Sequence, residues 1–346
     1  MTIRRMTVQE LANACGLSRN TVSKVLNDKK TVPESTRQLV LKKAQELGFF
    51  QFATDPQAAP APARQNIALL AGKMPADSHF GSMFIPAFAG FISRAGYTLM
   101  IYELTDEEFN QKKLPENISL EQTAAILGIE LFDCAYTQML AGLGLPTLLV
   151  DHCSDALGTT MESDWISMEN RASVITLVHH MTAQGAHRLG FVGDPKHCNS
   201  FQERWIAFNY ALQQIGLTAD PALSICDPDE SPYGDTAWIR GRLEAMPELP
   251  DALLCANDYL AIQVMTALKQ MGVAIPQRVM VAGFDGNPQS AVTEPALTTA
   301  EIPVAKMGRV AATMLLSRID NPDQVFCCTY VKTTPVFRES TMRNPG

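Results

Sequence analysis

The chain has 346 residues, 46% of them apolar, and its 28 Lys/Arg against 36 Asp/Glu give a net charge of −8. That length predicts about two domains and that apolar share a packed core, which excludes wholesale disorder. No apolar run reaches the 18 residues of a membrane span, and Met-Thr-Ile-Arg-Arg-Met leads into polar residues rather than a secretory h-region, so the expected location is the cytoplasm, with no membrane partner. The eight cysteines show no Cys-x-x-Cys spacing and are read as reduced thiols, mostly in the core.

The charge is divided unevenly. Residues 1–52 carry nine Lys/Arg against four Asp/Glu, a net +5, which leaves −13 for the remainder. A basic head on an acidic body points to a polyanion partner for the head alone. Thr7-Val8-Gln9-Glu10 is a capping-box pattern that starts a first helix, and Val8, Leu11, Ala12 and Cys15 form its apolar stripe up to Gly16. Ser18 is placed to cap a second helix with Thr21, Val22, Val25 and Leu26 inward and Arg19, Asn20, Ser23 and Lys24 outward. A third helix opens near Pro33, is expected to bury Thr36, Leu39, Val40, Ala44 and Leu47, and stops at Gly48. Two short helices joined by a Gly turn and braced by a third make a helix-turn-helix unit, whose second helix reads the major groove of double-stranded DNA. Arg19 suits a guanine edge and Asn20 an adenine edge, with Lys24 one turn further on; Thr7, Ser18 and Ser23 complete the candidate DNA-facing set.

Thr7 to Ala12, Gly16 to Asn27 and Val32-Pro33-Glu34-Ser35-Thr36-Arg37 resemble the head of the LacI/GalR-type (lactose-repressor family) transcription regulators. The resemblance places Arg19 and Asn20 on the family's principal base-reading positions and Lys24 on a third. It does not extend through residues 53–65, a Pro/Ala-rich linker. Family members commonly carry there a hinge helix with an Ala-Arg-x-Leu pattern whose leucine wedges into the minor groove. Here Pro56 interrupts the segment and Ala58 occupies the leucine's place.

From residue 66 onward, apolar runs alternate with amphipathic segments. Strands are predicted at 67–71, 97–102, 124–128, 146–150, 188–192, 253–256 and 279–283, and helices at 84–95, 169–184, 201–215, 259–271 and 304–318. The pattern predicts parallel α/β sheets in two lobes over residues 66–346. Asp151, Asp194, Asn257-Asp258 and Asp285 each follow one of these runs, where ligands bind in open α/β sheets; singly, each is also an ordinary turn residue. The resemblance continues through Glu203 to Phe208, Leu254 to Asp258, Val281 to Asp285, Pro295 to Thr299, Met307-Gly308 and Phe337 to Thr341. It implies a two-lobed periplasmic-binding-protein-like core in which Arg204, Asn257 and Asp285 contact a small polar, sugar-like effector and Asp151 lies between the lobes. Phe80 and Tyr233 are candidate stacking walls, with core or loop packing as the alternative for each. The family's Asp-Asn pair before the lobe-linking helix appears as Glu169-Asn170.

His179, His180 and His187 lack acidic or Cys partners at ligand spacing, so no metal is expected, and the chain has no G-x-G-x-x-G, P-loop or G-x-S-x-G, so no cofactor and no enzyme is predicted. Cys327-Cys328 fall in an expected strand and would point to opposite faces. The reading is a ligand-responsive repressor that binds a pseudo-palindromic operator as a homodimer. The chain ends soon after Thr341, an expectation against a tetramer built on an added helical bundle. The alternatives are a sensor that acts through a protein partner without specific DNA binding, and an enzyme on the same scaffold with Asp151 or Asp285 as base.

Overall fold

The computed structural model describes residues 8–26, 32–46, 65–72, 80–154 and 162–343. The chain divides into two compact units, 1–62 and 63–346. In the first, α1 (Val8–Cys15), α2 (Arg19–Leu26) and α3 (Glu34–Glu46) enclose a core of Leu11, Ala12, Val22, Val25, Val40 and Ala44. Val8, Leu11, Ala12 and Cys15 of the α1 stripe and Val22 and Val25 of the α2 stripe therefore face inward as predicted. Gly16 turns the chain at φ +66°, and Ser18 Oγ accepts the Thr21 amide at 3.1 Å, the cap that starts α2. Leu39 is a correction: expected inside, it is 46% exposed. One helical position turns a side chain by about 100°, which carries Leu39 off the face shared by Val40 and Ala44. The Thr7 cap, Leu47, Gly48 and the whole linker lie outside the described residues.

The second unit has two lobes. The first is built on β1 (Asn66–Ala71), β2 (Thr98–Glu103), β3 (Thr123–Ile129), β4 (Thr147–Val150), β5 (Asp164–Met168) and β10 (Cys328–Val331), in the order β10-β5-β4-β3-β1-β2 with every pair parallel. Strands inside a parallel sheet are covered on both faces, so they are apolar almost throughout. β3 and β4 are buried along their whole length, whereas β2 at the edge exposes Met100 and Ile101. The second lobe holds the parallel sheet β6 (Leu189–Val192), β7 (Ala252–Cys255), β8 (Met280–Ala282), flanked by an antiparallel pair, β9 (Thr299–Glu301) with β11 (Thr334–Val336).

Helices α4 (Phe80–Arg94), α5 (Asp106–Gln111), α6 (Cys134–Ala141) and α11 (Val304–Asp320) belong to the first lobe, and α7 (Arg171–Ala183), α8 (Asn199–Gln214), α9 (Thr236–Glu244) and α10 (Asp258–Gln270) to the second. The chain crosses between lobes three times: from β5 to α7, from β9 to α11, and from β10 to β11. Among the described residues no helix is long and apolar enough to cross a membrane.

The cysteine reading needs correction. Cys134 at the start of α6 and Cys153 beyond β4 form a disulfide, and Cys328 opens the edge strand β10 while Cys327 precedes it, both exposed instead of lying in the core. Among the described residues no His/Cys/Asp/Glu group is arranged to hold a metal.

Two buried carboxyls organise the lobes. Asp164 at the start of β5 accepts from Arg318 Nε at 2.8 Å and Nη2 at 2.9 Å, both residues being 3% exposed, while the same guanidinium donates to the carbonyls of Pro322, Gln324 and Val325. In the second lobe Asp258 is fully buried at the first turn of α10, where it accepts from Thr299 Oγ1 at 2.6 Å and from the Asn287 amide at 2.8 Å. Burial, reinforced by the nearby Asp285 charge, pushes its carboxyl up to about 8 from an ordinary 3.8. Gly283 is required beside it, because a Cβ there would lie 2.2 Å from Asp258 Oδ1.

Removing one member of a buried pair strands the other, so Asp164→Ala should lower the unfolding free energy by about 3–5 kcal/mol in urea titrations. A change under about 1 kcal/mol would contradict the pairing. For Asp258 the folded protein holds a proton that the unfolded chain has released between pH 3.8 and about 8. Its contribution to stability therefore falls as pH rises through that window. Asp258→Asn should flatten this slope, checked by urea midpoints across a pH series; a slope equal to that of the parent would refute the buried protonated carboxyl.

Candidate functional site

The head presents one reading face. Arg19 and Asn20 occupy the first turn of α2 and are exposed, as is Lys24 one turn along, while Ser23 is half-buried. Ser18 spends its hydroxyl on the helix, accepting the Thr21 amide and meeting Thr21 Oγ1 at 2.8 Å. Val22 and Val25, buried on the opposite side, fix which face α2 turns outward. A helix N-terminus that carries a guanidinium, an amide and an ammonium on one exposed face is suited to base edges and phosphates.

The body contains a cavity of about 660 Å³ at the carboxyl ends of both sheets. The first lobe contributes Gly72 after β1, Asp106 after β2, Glu130 after β3, Asp151 after β4 and Met168 at the end of β5. The second contributes His197 and Cys198 after β6, Asn257 after β7, and Asp285 and Asn287 after β8, with Arg204 rising from α8. Five of the six predicted effector residues (Asp151, Arg204, Asn257, Asp285 and Phe80) line this one space.

Tyr233 is not among the lining residues. It is 8% exposed, packs edge-on to Trp238 with centroids 5.1 Å apart, and donates its hydroxyl to the carbonyls of Ile225 and Asp227. Its expected role as a stacking wall is corrected to loop packing. Asp194 likewise serves as a turn residue, its carboxylate accepting the Lys196 amide at 2.8 Å, and does not line the cavity.

Arg204 is the central group. It is 3% exposed, with Nε donating to Asn170 Oδ1 at 2.9 Å and Nη1 to the Ala256 carbonyl at 2.6 Å and to Asp285 Oδ1 at 3.5 Å, and its guanidinium lies 3.7 Å from the Phe284 ring centroid. Among the described residues no acceptor is bonded to Nη2, so the edge that reaches the cavity keeps donor capacity. Asn170 in turn donates to the Met168 carbonyl at 3.0 Å and to Glu203 Oε2 at 2.8 Å, and Glu203 accepts from Tyr330 at 2.7 Å. Asn257, also in the lining, caps α10 by accepting the Leu260 amide through Oδ1.

Among the described residues four that are not glycine have positive φ: Lys112, Glu130, Asp151 and Asp285. Three of them line the cavity, and Lys112 bonds to a fourth lining residue, Asp133, at 2.7 Å. Such backbone costs about 1–3 kcal/mol per residue and persists where surrounding structure imposes it, typically at ligand sites.

The reading of the residues missed Asp106, Glu130, Phe132, Asp133, His197, Asp229 and Tyr259. Asp106 follows β2 and Glu130, Phe132 and Asp133 follow β3, the strand-end position that singled out Asp151, while His197 follows β6, Tyr259 lies in the first turn of α10 and Asp229 lies in the loop before α9. His197 Nδ1 lies 2.8 Å from Asp229 Oδ2 and its ring packs against Phe132 and Phe201 at 4.8 Å each, so Phe132 of the first lobe meets His197 of the second.

Comparisons with known proteins agree with this geometry. Residues 7–51 match the family described as bacterial regulatory proteins, lacI family, and residues 178–341 match the periplasmic binding protein-like domain. Among similar proteins are the HTH-type transcriptional regulator reg1 of Streptomyces lividans (28% identical, 97% of each chain covered) and the HTH-type transcriptional regulator MalR of Streptomyces coelicolor (29%, 97% of each). The HTH-type transcriptional repressor PurR of Haemophilus influenzae is 24% identical over 92% of each chain. In fold, the chain is similar to a CelR–cellobiose complex (TM-score 0.71, 23% identical, covering 97% of this chain and 100% of that one) and to the lac repressor dimer bound to operator and the anti-inducer ONPF (0.67, 19%, 98% and 100%). With both parts matched and the relatives named above being transcriptional regulators aligned over nearly their whole length, the chain joins a lacI-family DNA-binding head to a periplasmic-binding-protein-like effector domain, the make-up of a DNA-binding transcriptional regulator rather than of an enzyme.

Proposed function

We propose that this regulator is a repressor that binds a pseudo-palindromic operator as a homodimer and is controlled by a sugar-like effector held in the cleft. The chain is then organised as a reading head at 1–52, a linker at 53–65 and an effector and dimerisation body at 66–346. The observation that carries the effector reading is the convergence of Asp151, Arg204, Asn257, Asp285 and Phe80, from separate strand ends and helices of both lobes, on one cavity of about 660 Å³. Carboxylates, an amide and a guanidinium edge match the paired donors and acceptors of sugar hydroxyls, and the Phe80 face suits a ring. The volume admits a molecule of disaccharide size. The cellobiose of the CelR complex and the repressor named among the relatives support the same reading.

Arg19, Asn20 and Lys24 are assigned to base edges, with Ser18, Ser23 and Thr7 alongside at the backbone, Thr7 lying outside the described residues. The homodimer reading draws on the edge strand β2, where Met100 and Ile101 are exposed next to α4, which exposes Met83. A bare apolar sheet edge invites a second copy. One head alone makes too few phosphate contacts for tight binding at physiological salt. A ligand that prefers one lobe arrangement would change operator affinity by the typical 1–3 kcal/mol of coupling.

Footprinting on genomic fragments tests the DNA reading: discrete protected sites with internal two-fold symmetry are expected. Protection of no discrete site would instead favour a sensor that works through a protein partner. Arg19→Ala should weaken operator binding by about 1–3 kcal/mol and relax one base position, while Lys42→Ala has a smaller, sequence-independent effect. Equal losses on specific and random duplexes would refute the role of Arg19. Ile101→Asp should shift the chain toward monomer in light scattering and weaken operator binding with it; an unchanged mass would remove β2 from the interface.

A further inference from the structure

The charge inventory of the cleft points beyond a neutral sugar. Its lining includes six carboxylates, Asp106, Glu130, Asp133, Asp151, Asp229 and Asp285, against one guanidinium, one imidazole and, among the described lining residues, no lysine. The guanidinium of Arg204 already serves Asn170, the Ala256 carbonyl and Asp285. Burial opposes ionisation of Asp133, but the hydrogen bond from Lys112 and those from the first amides of α6 outweigh it and hold its carboxyl below the usual range. The hydrogen bond from His197 does the same for Asp229. The nearby cations thus keep these two groups charged.

A second feature points the same way. Phe80, Phe109, Phe132, Phe201 and Tyr259 line the same space as the carboxylates. Ring faces beside carboxylates receive an ammonium group by cation–π and Coulomb attraction together, and semi-enclosed low-dielectric walls focus the field of the excess charge. Among the described lining residues, a phosphate or carboxylate on the ligand would meet that field with only the outer edge of the Arg204 guanidinium to receive it.

We propose that the effector is a two-ring polyol that carries a protonated amine, of the amino-sugar glycoside class, and that the carboxylates of Asp106 and Asp229, one from each lobe, select it over neutral and anionic analogues. This rests on the cleft being the effector site, as proposed above. Closing the lobes on such a ligand brings the two carboxylates onto one positive charge, so ligand charge itself favours the closed arrangement.

The test uses the full-length chain and four β-1,4-linked disaccharides in calorimetric titrations: cellobiose, the glucosamine dimer with both amines protonated, its N,N′-diacetyl form, and cellobionate. The glucosamine dimer should bind about tenfold tighter than either neutral compound, cellobionate should not bind, and the advantage should shrink as salt is raised. Asp106→Asn/Asp229→Asn, with its unliganded melting temperature compared with the parent, should lose most of the preference for the amine over cellobiose. If a neutral or anionic disaccharide binds as tightly as the amine, or if the preference survives in the double variant, the charge selection is wrong while the sugar-like reading stands. If no member of the panel binds, both are overturned.

Discussion

The effector domain is organised around one buried positive charge. A guanidinium withdrawn from water is costly unless it finds partners, and Nε, Nη1 and one face of Arg204 are answered by the Asn170 amide oxygen, the Ala256 carbonyl, the Asp285 carboxylate and the ring of Phe284, which leaves Nη2 for the cavity. Those partners come from three places that the fold must bring together: the first crossover between lobes, the end of β7 and the end of β8. Through Asn170 and Glu203 the same network reaches Met168 at the end of β5 and Tyr330 on β10. A ligand that touches Arg204 is therefore one hydrogen bond, and one that touches Asp285 two, from the crossover where a change of lobe arrangement must be absorbed. On the proposed reading of the cleft, the residues assigned to the ligand are the same ones that hold the passage between the lobes.

The cleft is also where local backbone preference is overruled. Glu130, Asp151 and Asp285 all sit at positive φ at strand ends, and Asp285 at φ 117° is far from anything an aspartate adopts freely. Tertiary contacts hold them there: the Asp285 amide donates to the Ala300 carbonyl and its carbonyl accepts the Ile302 amide, the Asp151 amide donates to the Ile166 carbonyl, and the Glu130 amide to the Val150 carbonyl. The result is a set of carboxylates aimed by the main chain rather than by long flexible side chains, so little rotamer entropy is lost when they meet a ligand.

Much of this was legible in the residues. Runs such as Ile67–Ala71 and Pro146–Val150 announce parallel strands because both faces are buried and few polar residues interrupt them, and Leu11, Ala12, Val22 and Val25 announce the head because their spacing leaves one possible inner face. What escaped did so for physical reasons. β5 reads Asp-Trp-Ile-Ser-Met, and its polar members belong to a buried ion pair and a lobe seam that no local pattern reveals. Helices α5, α6 and α9 are six to nine residues long, two turns or so, too short to establish a period. Tyr233 looked like an aromatic wall because a sequence does not say where a phenol hydroxyl finds its acceptors. Cys134 and Cys153 carry no motif; only folding brings α6 beside the end of β4. His197, Phe132 and Asp229 form their cluster across the lobes, so no segment taken alone contains it.

The central claim is that Arg204 ties the first crossover to the ends of β7 and β8. Peptide-resolved amide hydrogen exchange on Arg204→Met, compared with the parent chain, addresses it without any ligand. The account predicts that segments 168–171, 256–258 and 283–287 lose protection together, while the strand interiors of both sheets exchange as before. Unchanged protection at all three segments in a folded variant would contradict it.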